Sequence, residues 1–196
     1  MSDFKNSKTY QNLSNAFAGE SQARNRYTFF ASVAKKAGFE QIAAFFIETA
    51  GNEKEHAEIY YKHMVDTLGE DVPNMIHVNG TYPVHLNDTA SNLLSAAQGE
   101  EGEVVDYNEM SKVAEEEGYR DIARSFRNIA TVEAHHAARY RALLANVQAE
   151  KVFVKEESTQ WLCRVCGYIH TGAKAPEICP TCKHAKAYFE VLCECF

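Results

Sequence analysis

Six residues in two matched sets carry the clearest chemical signal in this 196-residue chain. Glu20, Glu53 and His56 form one set. Glu100, Glu133 and His136 form the other, each shifted by 80 positions. In both sets a lone glutamate precedes a Glu-x-x-His by 33 residues. On a helix, that spacing puts Glu and His on one face, able to reach the same metal. Four inward carboxylates are very costly to bury unless protonated or paired. Two divalent cations would bring four positive charges and remove that cost, with the imidazoles donating neutral nitrogens. One Glu-x-x-His arises easily by chance; two in matched register, each with a partner glutamate, do not. Glu103 stands one turn after Glu100, where the first half has Ala23. It is either an extra carboxylate for one metal or a solvent-facing acid among Glu101, Glu103 and Asp106. Tyr27 and Tyr107 lie two turns beyond Glu20 and Glu100, roughly 10 Å along the axis. They either hydrogen-bond a ligand carboxylate or bound oxygen species, or are core aromatics with backbone partners.

The elements that must position these residues follow the same repeat. Gly19 matches Gly99, Ala34 matches Ala114, and Gly38 matches Gly118. Ile42-Ala43 matches Ile122-Ala123, Phe46 matches Phe126, and Tyr60 matches Tyr140. Leu13, Phe17, Glu20, Arg24, Tyr27, Ala31 and Ala34 step by alternating threes and fours, as on one face of an amphipathic helix. Phe39, Ile42, Phe46, Thr49, Glu53, His56 and Tyr60 do the same. The acids therefore share the apolar stripes and point inward. Gly38, following Lys35-Lys36, reads as the glycine just past a helix C-terminus, and Gly118 repeats that signal. Each half becomes an antiparallel helix pair. Between the halves, residues 69–88 hold Pro73, Gly80 and Pro83 and suit a crossover rather than a hairpin. The expectation is a mainly α chain: a four-helix bundle with one long crossover over residues 1–150.

The C-terminal segment has a separate signal. Cys163-x-x-Cys166 and Cys179-x-x-Cys182 are separated by 12 residues. Two such knuckles make a tetrahedral four-thiolate site, which suits zinc or iron. Trp161, Tyr168, Tyr188 and Phe189 supply a small aromatic core, and a module this small needs a metal staple. Residues 151–160 are charged and read as a linker, leaving 161–196 as the module. Cys193 and Cys195 are read as free thiols.

Composition bounds the partners. The chain is 45% hydrophobic with net charge −7, and Lys and Arg are interspersed among acids. That argues against nucleic acid or an anionic membrane surface. No apolar run is long enough for a membrane span. The polar start Met1-Ser2-Asp3-Phe4-Lys5 lacks a signal-peptide apolar region, so a cytoplasmic location with reduced thiols is expected. No Gly-x-Gly-x-x-Gly occurs, so the chain is not expected to bind NAD itself.

Taken together, the motifs resemble the rubrerythrin family over nearly the whole chain. They are Ala18-Gly19-Glu20-Ser21-Gln22-Ala23-Arg24, Glu53-x-x-His56, Gly99-Glu100-x-x-Glu103 and Glu133-x-x-His136. A rubredoxin-like Cys163-x-x-Cys166-Gly-Tyr and Cys179-Pro-x-Cys182 follow. The resemblance implies a ferritin-like di-iron bundle, oxo- and carboxylate-bridged, joined to a rubredoxin-like Fe(SCys)₄ domain in which zinc can substitute. It implies a peroxidase reducing hydrogen peroxide in oxidative-stress defence. Electrons would come from an NAD(P)H-dependent reductase or a rubredoxin, through the four-cysteine iron. The di-iron ligands implied are Glu20, Glu53, His56, Glu100, Glu103, Glu133 and His136, with Glu103 and His56 exchanging on one iron. A head-to-tail homodimer, or a larger assembly, is expected on geometric grounds. A ferroxidase or iron-handling protein, and an assembly module with structural zinc, are the other functional classes.

Two departures from the family pattern carry expectations. Tyr107 follows Glu103 by four residues, one fewer than the pattern, which predicts an unbulged helix and a rotated Glu103. The last knuckle ends Cys182-Lys183 rather than Cys-Gly. If that position needs a positive φ, Lys183 carries roughly 1 kcal/mol of strain.

Overall fold

The computed structural model describes residues 4–73 and 75–194. Four long helices dominate: α1 (Lys8–Lys36), α2 (Glu40–Leu68), α3 (Thr89–Glu116) and α4 (Arg120–Gln148). The repeat thus folds as two helical hairpins, α1 on α2 and α3 on α4, with α1 also meeting α3. Both hairpin turns are built alike. Gly38 (φ 82°) and Gly118 (φ 89°) take the left-handed conformation that ends a helix. The next amides, of Phe39 and Tyr119, reach back to the carbonyls of Ala34 and Ala114 at 2.9 and 2.8 Å.

The helix starts that do not follow these turns are capped by side chains. Ser7 accepts from the Tyr10 amide at 3.0 Å, and Asp88 accepts from the Ser91 amide at 2.8 Å. Glu117 adds a tertiary cap. It accepts from the Lys8 and Thr9 amides and from the Thr9 hydroxyl, joining the α3–α4 turn to the start of α1. A carboxylate here also complements the helix dipole. The connection from α2 to α3 is a 3₁₀ turn, Gly69–Asp71, and then, among the described residues, an irregular strap to Asp88.

The core falls into two apolar clusters. One contains Tyr27, Phe30, Phe46, Leu93 and Tyr140. The other contains Leu13, Tyr60, Tyr107, Ile122 and Phe126. The repeat exchanges them: Tyr27, Phe46 and Tyr140 in the first match Tyr107, Phe126 and Tyr60 in the second.

After α4 comes a three-stranded antiparallel sheet of order β2-β1-β3, with β1 Val154–Cys163, β2 Ile169–Lys174 and β3 Phe189–Val191. Residues 154–160, expected as linker, are strand. The reason is exposure: most of this stretch of β1 faces solvent, so its charged side chains reflect a wet strand surface. Its backbone pairing with β2 leaves no mark on polarity. Trp161 and Phe189 are buried beside Cys163 and Cys179. The module rests on the α1–α2 turn, where Phe39 and Phe153 stack with ring centroids 6.1 Å apart. No described helix is long and apolar enough to cross a membrane.

The turn glycines give a clean stability test. A Cβ at Gly118 would meet no atom within 4 Å, so substitution there probes φ alone. Gly118→Ala is expected to cost about 1–2 kcal/mol, read from the urea midpoint by circular dichroism. An unchanged midpoint would show that the left-handed turn is not required.

Candidate metal centre

Midway along the bundle, the two sets of acids and histidines meet between the apolar clusters. Each helix delivers its residues there by the periodicity that buries its neighbours. Glu20, Glu53, Glu100 and Glu133 are all completely buried, and His56 and His136 nearly so. The donor atoms form two groups, each within 4.8 Å: Glu20, Glu53, His56 and Glu133, and Glu53, Glu100, Glu133 and His136. Glu53 and Glu133 belong to both, as expected of carboxylates that bridge two ions. Each histidine turns Nδ1 inward. His56 Nδ1 lies 3.2 Å from Glu53 and 2.9 Å from Glu133. His136 Nδ1 lies 2.8 Å from Glu133 and 3.4 Å from Glu53.

Fit to cations can be judged from the oxygens. Glu20 Oε2, Glu53 Oε1, Glu100 Oε2 and Glu133 Oε1 are buried and make no well-formed hydrogen bond, their nearest polar neighbours being the two inward Nδ1 atoms at 2.9–3.6 Å. One such oxygen on each of four converging buried carboxylates, facing only the two imidazoles, fits a two-metal site and does not fit a solvated acid cluster.

Electrostatics agree. Burial alone pushes His56 down, but Glu133, Glu20 and Glu53 reverse this and carry it to about 12. Burial likewise opposes charge on His136, and Glu100, Glu133 and Glu53 raise it to about 11. Burial raises Glu53, but His136 and His56 bring it down to about 2. Glu100 is pushed up to about 8, first by burial, with His136 offsetting part. Without cations, then, imidazolium supplies the missing positive charge. Metal uptake must displace those protons.

The tyrosines sit across the repeat. Tyr27 donates to Glu100 Oε1 at 2.5 Å, and Tyr107 donates to Glu20 Oε1 at 2.6 Å. Of the two sequence readings, the geometry gives the carboxylate contact, but on the opposite helix. Glu103 lies outside both donor groups. It lines a cavity between α1, α3 and the strap, with Oε2 buried and unpartnered. Burial, then the charges of Glu20, Glu100 and Glu133, push its carboxyl well above the usual range. Helix α3 runs unbroken past Glu103 and Tyr107, with no π turn, in line with the short spacing.

One site residue was not visible in the sequence. Asn52 Oδ1 lies 3.2 Å from His136 Nε2, fixing that ring from behind. Its repeat counterpart is Val132, so His56 has no matching amide. The only signal was the position immediately before Glu53, which reveals nothing about a ring on α4.

In the C-terminal module the four sulfurs of Cys163, Cys166, Cys179 and Cys182 converge within 4.8 Å. Cys163–Cys182 and Cys166–Cys179 are each 3.7 Å apart. A tetrahedron with metal–sulfur bonds of about 2.3 Å has edges of about 3.8 Å. Gly167 (φ 76°) and Lys183 (φ 64°) follow their knuckles in the same left-handed conformation. Their amides donate to the carbonyls of Cys163 and Cys179 at 2.9 and 3.0 Å. Lys183 therefore takes the strained backbone its position requires. Cys193, expected as a free thiol, is disulfide-bonded. The expectation rested on Cys193 and Cys195 having no second cysteine pair with which to hold a metal, which does not decide whether Cys193 is oxidised. Cys195 lies outside the described residues.

Fold and site together define a ferritin-like di-metal carboxylate bundle carrying a rubredoxin-like four-thiolate module. Comparison with known proteins agrees. The rubrerythrin family profile matches residues 11–144 and again 91–165, and the profile for the rubrerythrin rubredoxin-like domain matches 161–190. The chain is 48% identical to rubrerythrin-1 of Clostridium acetobutylicum, covering 99% of both chains. It is 50% identical to rubrerythrin of Porphyromonas gingivalis, covering 95% of this chain and 90% of that one. Among solved structures, mixed-valence nigerythrin superposes with TM-score 0.63 at 32% identity, over 95% of this chain and 90% of that chain. A Desulfovibrio desulfuricans bacterioferritin shares the fold, with TM-score 0.65 at 22% identity, over 74% of this chain and 82% of that chain. The chain belongs to the rubrerythrin family. Its cofactors are accordingly a di-iron carboxylate centre in the bundle and an iron centre on the four cysteines.

The Asn52 contact makes the two histidines unequal. Asn52→Ala is expected to weaken binding of one bundle metal by about 10–100-fold, while the other is held normally. Competitive titration with a metal indicator checks this, and equal weakening at both sites would remove the asymmetry.

Proposed function

We propose that this protein is a non-haem di-iron peroxidase that reduces hydrogen peroxide to water. The observation that carries the reading is the pairing, in one chain, of a buried double cluster of carboxylate and histidine donors with a four-cysteine site suited to electron entry. A storage shell has no use for the second site, and a purely structural zinc module has none for the first. The reaction is H₂O₂ + 2e⁻ + 2H⁺ → 2H₂O. When bound, a ferrous pair supplies both electrons and Lewis acidity, avoiding the hydroxyl radical that one-electron reduction would release.

The chain's own residues divide the work. Glu53 and Glu133, common to both donor groups, would be shared by the two metals, with Glu20 and His56 holding one and Glu100 and His136 the other. Tyr27 and Tyr107 brace Glu100 and Glu20, and Asn52 orients His136. Glu103 and His56 would serve as alternative ligands to the metal that Glu20 holds. His56 already lies inside a donor group and Glu103 outside both, so the exchange requires Glu103 to swing inward. Cys163, Cys166, Cys179 and Cys182 hold the iron through which electrons arrive, from an NAD(P)H-dependent reductase or a rubredoxin. The reading places the protein in the cytoplasm, where such donors operate and the four cysteines stay reduced.

We also propose that electrons cross between subunits of a head-to-tail dimer. The module sits at the start of α2, and Glu53 lies 13 residues after Glu40. That separation is about 20 Å along the helix. An antiparallel copy brings a second four-cysteine site toward the first bundle, in the commonest homo-oligomer symmetry.

Anaerobically iron-loaded protein is expected to contain three irons per chain, and peroxide should oxidise the diferrous centre much faster than O₂ does. Elemental analysis and stopped-flow absorbance measure both. Equal rates, or faster O₂, would favour a ferroxidase.

Subunit crossing is tested by mixing two inactive variants. One carries Cys163→Ala and Cys182→Ala, the other Glu53→Ala and Glu133→Ala. Subunit exchange should restore part of the reductase-coupled peroxide consumption. No recovery in confirmed, folded heterodimers would mean that each chain reduces its own centre.

A further inference from the structure

Beside the metal centre, α1, α3 and the strap at residues 79–83 line a half-open cavity of about 420 Å³. Arg26 lines it and is only 7% exposed. Its guanidinium lies over the rings of Tyr27 and Phe30, 5.4 and 5.9 Å from their centroids. Nε and Nη1 are buried with no hydrogen-bond partner. Among the described residues no carboxylate forms an ion pair with Arg26. A buried, unpaired guanidinium costs several kcal/mol, so its retention needs an occupant that repays it.

The described residues do not provide one. Glu103 lines the same cavity, but its Oε2 is also buried and unpartnered, so the two groups are neighbours without being a pair. Asp106, the repeat counterpart of Arg26, lines the cavity too, but is exposed and forms no ion pair with Arg26. The charge at position 26 is therefore not a by-product of the repeat. Gly99 lies against the guanidinium: a Cβ there would sit 3.6 Å from Nη2, in ordinary van der Waals contact. Gln22 and Gln98 add neutral amide donors to the wall.

We propose that this cavity binds a small inorganic oxyanion, held by Arg26. Guanidinium N–H groups match oxyanion acceptors in geometry and charge. Two divalent metals in the adjoining centre make the region less hostile to an anion than the acidic sequence suggests. The site does not depend on which oxidant the metal pair reduces.

The test uses iron-loaded full-length protein, with inorganic phosphate as probe against chloride at equal ionic strength. Wild type and Arg24→Gln, which loses an exposed charge on the same helix, should bind phosphate in calorimetry. At ten times the dissociation constant, both should gain about 3–6 °C in thermal midpoint. Arg26→Gln should lose binding and shift. If Arg26→Gln does not fold, Arg26→Lys should weaken binding at least about tenfold, because one ammonium cannot replace the planar fork. No phosphate effect in wild type would mean that Arg26 is paired within the chain, and it overturns the proposal. So would an equal effect in the Arg26 variants, or a phosphate-induced change in di-iron absorbance that persists in them, which would put the anion on the metals.

Discussion

Four carboxylates buried at one level of an apolar bundle are the constraint on which this structure depends. Glu20, Glu53, Glu100 and Glu133 have no access to water, and such charges are tolerated only with counter-charge and hydrogen bonds. The bundle supplies the hydrogen bonds through Tyr27 and Tyr107, reaching across the repeat. The counter-charge comes from cations or, without them, from imidazolium. Stability of the metal-free fold therefore depends on pH in a definite sense. Because His56 and His136 are raised to about 12 and 11, their contribution is full below the ordinary histidine value near 6.5. It is lost as pH rises through those raised values. Glu53, lowered to about 2, contributes above the ordinary carboxylate range and fails as pH falls toward 2. Metals replace the imidazolium protons, so occupancy and fold stability are linked quantities.

Near-symmetry makes the departures informative. The repeat sets equivalent backbones around the centre, and single side chains then break the equivalence. Glu103 faces Ala23 across it, Asn52 faces Val132, Arg26 faces Asp106, and Glu117 faces Ala37. Three of these concern the metal centre or the cavity beside it. The fourth ties the α3–α4 turn to the α1 terminus, a bond that the α1–α2 turn does not return. A symmetric scaffold with asymmetric side chains can hold two similar metals in different states, because packing fixes the frame while the local donors differ.

The thiolate module repeats the pattern on a smaller scale. Two knuckles of the same conformation present four sulfurs at tetrahedral spacing, one followed by glycine and the other by a strained lysine. Lys183 Nζ reaches the Pro180 carbonyl at 2.8 Å, a local bond that offsets part of the backbone cost. Stacking of Phe153 on Phe39 seats the module on the α1–α2 turn.

Helix number, hairpin turns, the inward acids and the four-cysteine site were legible in the sequence. Periodicity and Cys-x-x-Cys spacing are local, and local geometry reads directly from residue order. That Glu53 and Glu133 are the two carboxylates common to both donor groups came only from the structure. Other features required the tertiary structure. Whether Glu103 joined the donors depended on a helix rotation that its spacing to Tyr107 foreshadowed but did not fix. Which carboxylate each tyrosine meets depended on how α1 faces α3, and the two are 73 and 87 residues from their partners. The amide behind His136, the strand hidden in a charged stretch and the unpaired guanidinium of Arg26 left no local pattern. Each is a relation between distant segments, set by packing rather than by neighbours in the chain.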